Sequence, residues 1–187
     1  MNLRKKKILG ISGSTKPNST NFFILKHLVE LFHDRLEIHI FNGIDKLPHF
    51  NPDLDQENLP VAVKEFRDLI EKSDGVLFCT PEYVFSLPGS LKNAIEWNVS
   101  TTVFSNKPVA MIVAAASGEK AYESLSLILT TIEAVLPEES KLLIQGAKGK
   151  IDKEGIKDVT VKKHMQKVMS SLLESINAEN SKPTKYI

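Results

Sequence analysis

The sequence predicts a single α/β domain built on an open parallel sheet with helices on both faces. Three observations carry that prediction. Five short apolar runs recur along the chain, longer segments of helical period separate them, and no internal repeat or linker divides the 187 residues. A chain of this size closes one hydrophobic core. Its 42% hydrophobic and 25% charged residues are ordinary for a globular protein.

Lys7 to Ser12 is the first strand. It feeds a polar turn that ends at a helix from Thr20 to His33, with Phe22, Phe23, Leu25, Leu28, Val29 and Phe32 largely buried. Glu37 to Phe41 is the second strand. The connection after it, Asn42 to Pro60, carries Pro48, Pro52 and Pro60 and is longer than strand-to-helix loops usually are; long loops are often functional, and this one is expected to wall a site. Val61 to Lys72 is the second helix, with Val63, Phe66, Leu69 and Ile70 at helical spacing, and Gly75 to Thr80 is the third strand. A third helix is predicted over Pro88 to Asn98, where Pro88 suits the first turn because its missing N–H would have been unpaired there. Val109 to Ala115 is the fourth strand, Glu119 to Leu136 the fourth helix and Lys141 to Gln145 the fifth strand. The last helix, about Ile156 to Ile176, shows the clearest stripe in Met165, Val168, Met169, Leu172, Leu173 and Ile176, and Ala178 to Ile187 reads as a polar tail.

Charge and composition exclude several classes. With 24 Lys plus Arg against 23 Asp plus Glu there is no basic field of the kind a nucleic-acid binder carries, so no nucleic acid is expected as a partner. The basic stretch Arg4 to Lys7 is not followed by an apolar signal core, and the longest later apolar run, Val109 to Ala116, is far below the roughly 20 residues needed to cross a bilayer. Neither secretion nor a membrane is expected. A lone Cys79 forms no internal disulfide, which fits the reducing cytoplasm. It reads as an inert core thiol, and the five histidines show no metal-ligand spacing.

The first strand-to-helix turn, Ser12 to Asn21, is the most informative segment. It has no carboxylate. It offers hydroxyls at Ser12, Ser14, Thr15, Ser19 and Thr20, amides at Asn18 and Asn21, a cation at Lys16, and Gly13 for a tight turn. A helix N-terminus presents free N–H groups and a positive dipole end to an anion, so a phosphate monoester would satisfy this loop. Helix capping alone would need one such side chain. Rival phosphate motifs fail by register. Taking Gly10 as the first P-loop glycine puts Lys16 at the lysine position, but Thr15 then replaces a glycine and Pro17 the residue that holds magnesium. Gly10 and Gly13 do not make the dinucleotide fingerprint.

The third strand leads into Thr80-Pro81-Glu82-Tyr83-Val84-Phe85-Ser86-Leu87-Pro88-Gly89. Aromatic and apolar side chains on a proline-braced turn suit a flat heteroaromatic ligand, while exposed backbone groups could bond its polar edge. Packing of Tyr83 and Phe85 into the core accounts for those two residues equally well at this stage.

Two runs carry a family resemblance. Gly13-Ser14-x-Lys16-x-x-Ser19-x-Asn21 resembles the G-S-x-R-x-x-S-x-N phosphate loop of the NADPH-dependent FMN reductases. Thr80-Pro81-Glu82-Tyr83, followed by Ser86-x-Pro88-Gly89-x-Leu91-Lys92-Asn93-Ala94-Ile95-Glu96-Trp97, resembles that family's T-P-E-Y-N-x-S-x-P-G-x-L-K-N-A-I-D-W run. The resemblance extends from about Lys7 to Gln145. It implies a flavodoxin-like, doubly wound five-stranded parallel sheet of order 2-1-3-4-5, with FMN phosphate on Ser14, Lys16, Ser19, Thr20 and Asn21. It also implies that Pro81, Glu82, Tyr83 and Val84 lie along the isoalloxazine, mainly through backbone, with Ser117 and Gly118 at the ring edge. The implied activity is hydride transfer from NADPH or NADH to bound FMN and on to a small acceptor, such as a flavin, a quinone or an azo compound, by a homodimer or homotetramer. No side chain is assigned a catalytic role, because the cofactor carries the chemistry.

The chain departs from the family's pattern in three places. Lys16 exchanges an arginine fork for a point charge, Val84 stands at a frequent asparagine, and the third loop, Ala116 to Lys120, is poorer in glycine. Two alternatives are a flavodoxin-type electron carrier, against which the net charge of +1 argues, and a non-enzymatic nucleotide-binding module.

Overall fold

The computed structural model describes residues 4–56 and 58–180. Strands β1 (Lys6–Ser12), β2 (Leu36–Phe41), β3 (Gly75–Thr80), β4 (Val109–Ala115) and β5 (Lys141–Gln145) pair in the order β2-β1-β3-β4-β5, and every pair is parallel. The order reverses at β1. The crossovers from β1 to β2 and from β2 to β3 therefore run in opposite directions, and a crevice opens beyond the carboxyl ends of β1 and β3. This is the flavodoxin-like topology.

The inner strands β3 and β4 are nearly continuous apolar runs because both faces of the sheet are covered there. Every residue of β3 is buried, as is all of β4 except Ala115. On one face, α2 (Val61–Lys72), α3 (Gly89–Glu96) and α4 (Glu119–Thr131) set Val63, Phe66, Ile70, Leu91 and Leu125 against Leu9, Ile11, Phe78 and Met111. On the other, α1 (Thr20–Phe32) and α6 (Val159–Asn180) set Leu25, Leu28, Met165 and Leu172 against Ile8, Leu77 and Ile112. Alternate residues of β1 thus feed separate cores, as the period of two in a strand requires.

The largest departures from the predicted ranges have local causes. The fourth helix stops at Thr131 and not at Leu136, because Glu133 adopts a φ of 61° while its N–H donates to Thr130 O and that of Ala134 to Leu129 O, a Schellman ending without glycine. The third helix begins one residue after Pro88, whose carbonyl accepts from the N–H of Leu91 and Lys92. The last helix runs from Val159 to Asn180, so the expected tail is helical through Asn180, and its remainder, 181–187, lies outside the described residues. Between β5 and α6 the chain forms a short helical turn, α5 (Ala147–Lys150), and a hairpin of β6 (Ile151–Asp152) and β7 (Gly155–Ile156); these pieces are too short to leave a periodic pattern.

The long connection after β2 is latched to the body. Pro48 O accepts from Trp97 Nε1 at 2.7 Å and from Asn93 Nδ2 at 2.9 Å, and the Phe50 N–H donates to Asn93 Oδ1 at 2.7 Å. Arg67 adds an ion pair with Asp55 at 2.7 Å and also donates to Trp97 O. Trp97 is fully buried, with its ring edge-on to Phe50 at 5.2 Å.

Candidate functional site

The site is built at the carboxyl edge, from the loop that leaves β1. Gly13 lies against β3: its N–H donates to Cys79 O at 2.8 Å, and a Cβ there would stand 2.2 Å from Thr80 Oγ1. Only glycine lets the two loops approach this closely. Ser12 and Ser14 then fold the turn on itself, with Ser12 Oγ donating to Ser14 O at 3.2 Å and Lys16 N–H donating to Ser14 Oγ at 3.3 Å. Thr15 to Asn18 are exposed, with Asn18 in the left-handed region at φ 58°.

Ser19 caps α1: its Oγ accepts from the Phe22 N–H at 3.1 Å, which leaves the hydroxyl proton free to donate elsewhere. Thr20 and Asn21 are the first residues of the helix, and their N–H groups donate to no acceptor among the described residues. Lys16 is exposed and forms no ion pair among them. The loop therefore presents a cation, hydroxyls and free N–H groups with no carboxylate of its own.

Asn21, which the family resemblance counts among the phosphate ligands, has a buried side chain that donates from Nδ2 to Ala114 O at 3.2 Å and accepts from the Cys79 thiol on Oδ1 at 3.3 Å. That amide joins α1 to β3 and β4, and only the backbone N–H of Asn21 is left to the loop. Cys79 is a core thiol whose burial pushes its pKa up.

The loop after β3 forms a second rim. Pro81 is buried, and Tyr83 and Ser86 exchange both backbone hydrogen bonds at 3.0 and 3.1 Å around Val84 and Phe85, at φ 51° and 54°. This is a tight turn of the primed type, with both central residues left-handed. Val84 is 96% exposed and Phe85 76%, so this crest does not pack into the core. Glu82 has a role that its sequence neighbourhood did not signal. Its Oε2 accepts from the Ala121 N–H at 2.9 Å and its Oε1 from the Gly118 N–H at 3.1 Å, which bridges the rims after β3 and β4 and caps α4. The Ala121 N–H chiefly holds its carboxyl below the usual glutamate range, against an opposing effect of burial and with a further, weaker contribution from the Gly118 N–H. Gly118 has φ 95°, and Ser117 beside it is exposed.

A cavity of about 340 Å³ opens beside the first loop. Its lining brings Ser12, Ser14, Lys16 and Asn18 of the first loop together with Phe22 of α1 and with Phe41, Asn42, Ile44 and Asp45 at and after the end of β2. The start of the connection after β2, Asn42 to Asp45, thus walls the cavity, as expected from the length of that connection. The rims at Pro81 to Val84 and at Ser117 and Gly118 stand outside it, toward β3 and β4. No sequence signal linked Phe22 or Phe41 to a site, since each reads as ordinary core.

Open parallel sheets hold their ligands at such a switch point, and a carboxylate-free loop opening a helix there marks the class that docks phosphorylated ligands. The chain belongs to the NADPH-dependent FMN reductase family, whose model matches residues 6–149. It is 33% identical over 154 residues to an NAD(P)H-dependent FMN reductase of Pseudomonas aeruginosa, covering 80% of this chain and 83% of that one. It is 27% identical to a quinone reductase of Escherichia coli K12, covering 79% and 82%. Among solved structures it superposes on the flavoenzyme NAD(P)H:acceptor oxidoreductase FerB of Paracoccus denitrificans with a TM-score of 0.80 at 29% identity, covering 92% of this chain and 98% of that one.

Proposed function

We propose that the chain is an FMN-dependent oxidoreductase that takes hydride from NAD(P)H and passes electrons to a small acceptor such as a flavin, a quinone or an azo compound. Family membership supports the reaction class, and the first loop supports the cofactor. A phosphate dianion fits a loop with an unpaired ammonium, a free Ser19 hydroxyl proton and unpaired N–H groups on Thr20 and Asn21. That set of donors, with no carboxylate among them, is the observation that carries the reading.

In this reading Ser14, Lys16, Ser19 and Thr20 hold the phosphate, together with the Asn21 N–H. Pro81, Glu82, Tyr83 and Val84 line the ring through their backbone, with Ser117 and Gly118 at its edge. When bound, FMN supplies the hydride chemistry. The protein's part is to orient and to exclude water. Glu82 fixes the Gly118 N–H and so sets the spacing of the two rims, while Val84 and Phe85 offer apolar surface to a planar acceptor. The exposed crest also suits burial against a second copy, as a homodimer or homotetramer would provide. A reducing cytoplasm suits the unpaired Cys79 thiol.

Anaerobic mixing of FMN-loaded protein with NADPH or NADH tests the proposal: bleaching of the oxidised flavin band is expected. A band that persists with both nucleotides rejects the enzymatic reading.

A further inference from the structure

We infer that the β2-side lobe of the cavity is a subsite for the adenosine diphosphate half of a dinucleotide, with Asp45 reading the ribose. The inference rests on the flavin reading above. In the strand order this lobe lies on the β2 side of the phosphate loop, whereas the rims assigned to the flavin ring follow β3 and β4. A ring laid along those rims leaves the lobe unused. The cavity as a whole, phosphate loop included, measures about 340 Å³, more than a lone phosphate needs.

The chemistry of the lobe is two-sided. Phe22, Phe41 and Ile44 offer apolar surface of the kind a stacked purine uses, and Lys16 supplies charge for a pyrophosphate at the loop end. Asn42 and Asp45 are exposed, and neither side chain has a partner among the described residues. Asp45 follows shortly after the end of β2, the strand next to the one that delivers the phosphate loop. In dinucleotide-binding sheets a carboxylate some twenty residues after the phosphate loop accepts from the ribose 2′-hydroxyl. Here a loop without the glycine fingerprint shares its cavity with Asp45, which stands in the short turn Ile44–Lys46 after β2. Asp45 accepts from a 2′-hydroxyl but repels a 2′-phosphate, so the lobe favours 5′-ADP over 2′,5′-ADP.

Two molecules carry that half: FAD, attached to the flavin phosphate, and NADH, bound beside FMN. Calorimetric titration of flavin-free and FMN-loaded protein with FMN, FAD, ADP and 2′,5′-ADP separates them. We expect saturable ADP binding, with 2′,5′-ADP weaker by about tenfold, the scale of a charge-assisted hydrogen bond. ADP binding to the FMN-loaded form assigns the lobe to NADH. ADP binding only to the flavin-free form, with FAD tighter than FMN, assigns it to FAD.

Uptake of FMN but of ADP in neither form overturns the inference and leaves the flavin reading standing. ADP that FMN displaces, with FAD no tighter than FMN, overturns it too, because the phosphate loop alone is then engaged. Failure of FMN itself to bind rejects the underlying reading. An Asp45→Asn variant that melts like the wild type and keeps the same preference for ADP over 2′,5′-ADP removes the role given to Asp45.

Discussion

Val84 holds a φ of 51° while 96% exposed, so no packing offsets the strain of a β-branched side chain in the left-handed region. Asparagine tolerates that region far better. Val84→Asn is therefore expected to stabilise the protein by about 1 kcal/mol, a rise of roughly 2–4 °C in melting temperature for a chain of this size; a lower melting temperature would show that the turn is not strained. Ser19 and Asn21 part company at the same scale. Both look like phosphate donors in a polar run, yet helix phase puts Ser19 at the cap and turns Asn21 under the helix, against Cys79 and Ala114. Residue type was legible there, but facing was not, because it depends on where the first helical turn begins. Asn21→Ala should lower stability by about 1–3 kcal/mol in urea unfolding by stranding buried polar groups. Lys16→Ala, at an exposed position, should leave the urea midpoint in place while weakening FMN binding and flattening its salt dependence.

Among elements, the apolar strands were legible almost residue by residue, since a strand buried on both faces has to be a bounded hydrophobic run. Helix endings were less so: the stop of α4 at Thr131 uses Glu133 where glycine would have announced it. The links between elements were illegible, because they join residues far apart in sequence. Glu82 is one such link, reaching from the loop after β3 to the first turn of α4. Its pKa is depressed in the fold, so its stabilising effect is fully present above the ordinary glutamate range and is lost as pH falls through the lowered folded-state value. The stability gap between wild type and Glu82→Gln should be open at neutral pH and close as pH falls through and below the ordinary glutamate range, as followed by urea unfolding across pH. The Arg67–Asp55 latch is the other. Both side chains are largely buried, so Arg67→Ala leaves the Asp55 carboxylate without its cation, held only by the Ser100 hydroxyl among the described residues, and is expected to cost about 3 kcal/mol. Faster proteolysis within the connection after β2 should accompany that loss.

At the scale of the whole molecule, strand order and site position are one fact. Reversal of the order at β1 opens the crevice, and the loop entering that crevice carries the free donors. The sheet could be read from sequence because alternating runs leave few topologies open. The cavity could not, since Phe41, Ile44 and Asp45 meet the first loop only once β2 is paired beside β1. A ligand that spans loops from several crossovers binds the folded chain and not the unfolded one, so it stabilises the whole domain by mass action. FMN at about a hundred times its dissociation constant should then add about 2.7 kcal/mol. For a domain of this size, that corresponds to a rise of roughly 5–10 °C in melting temperature. Riboflavin lacks the phosphate and should fall well short of this at equal concentration. If the two flavins shift the melting temperature equally, the first loop is not where the binding energy comes from, and the ring rims after β3 and β4 carry it.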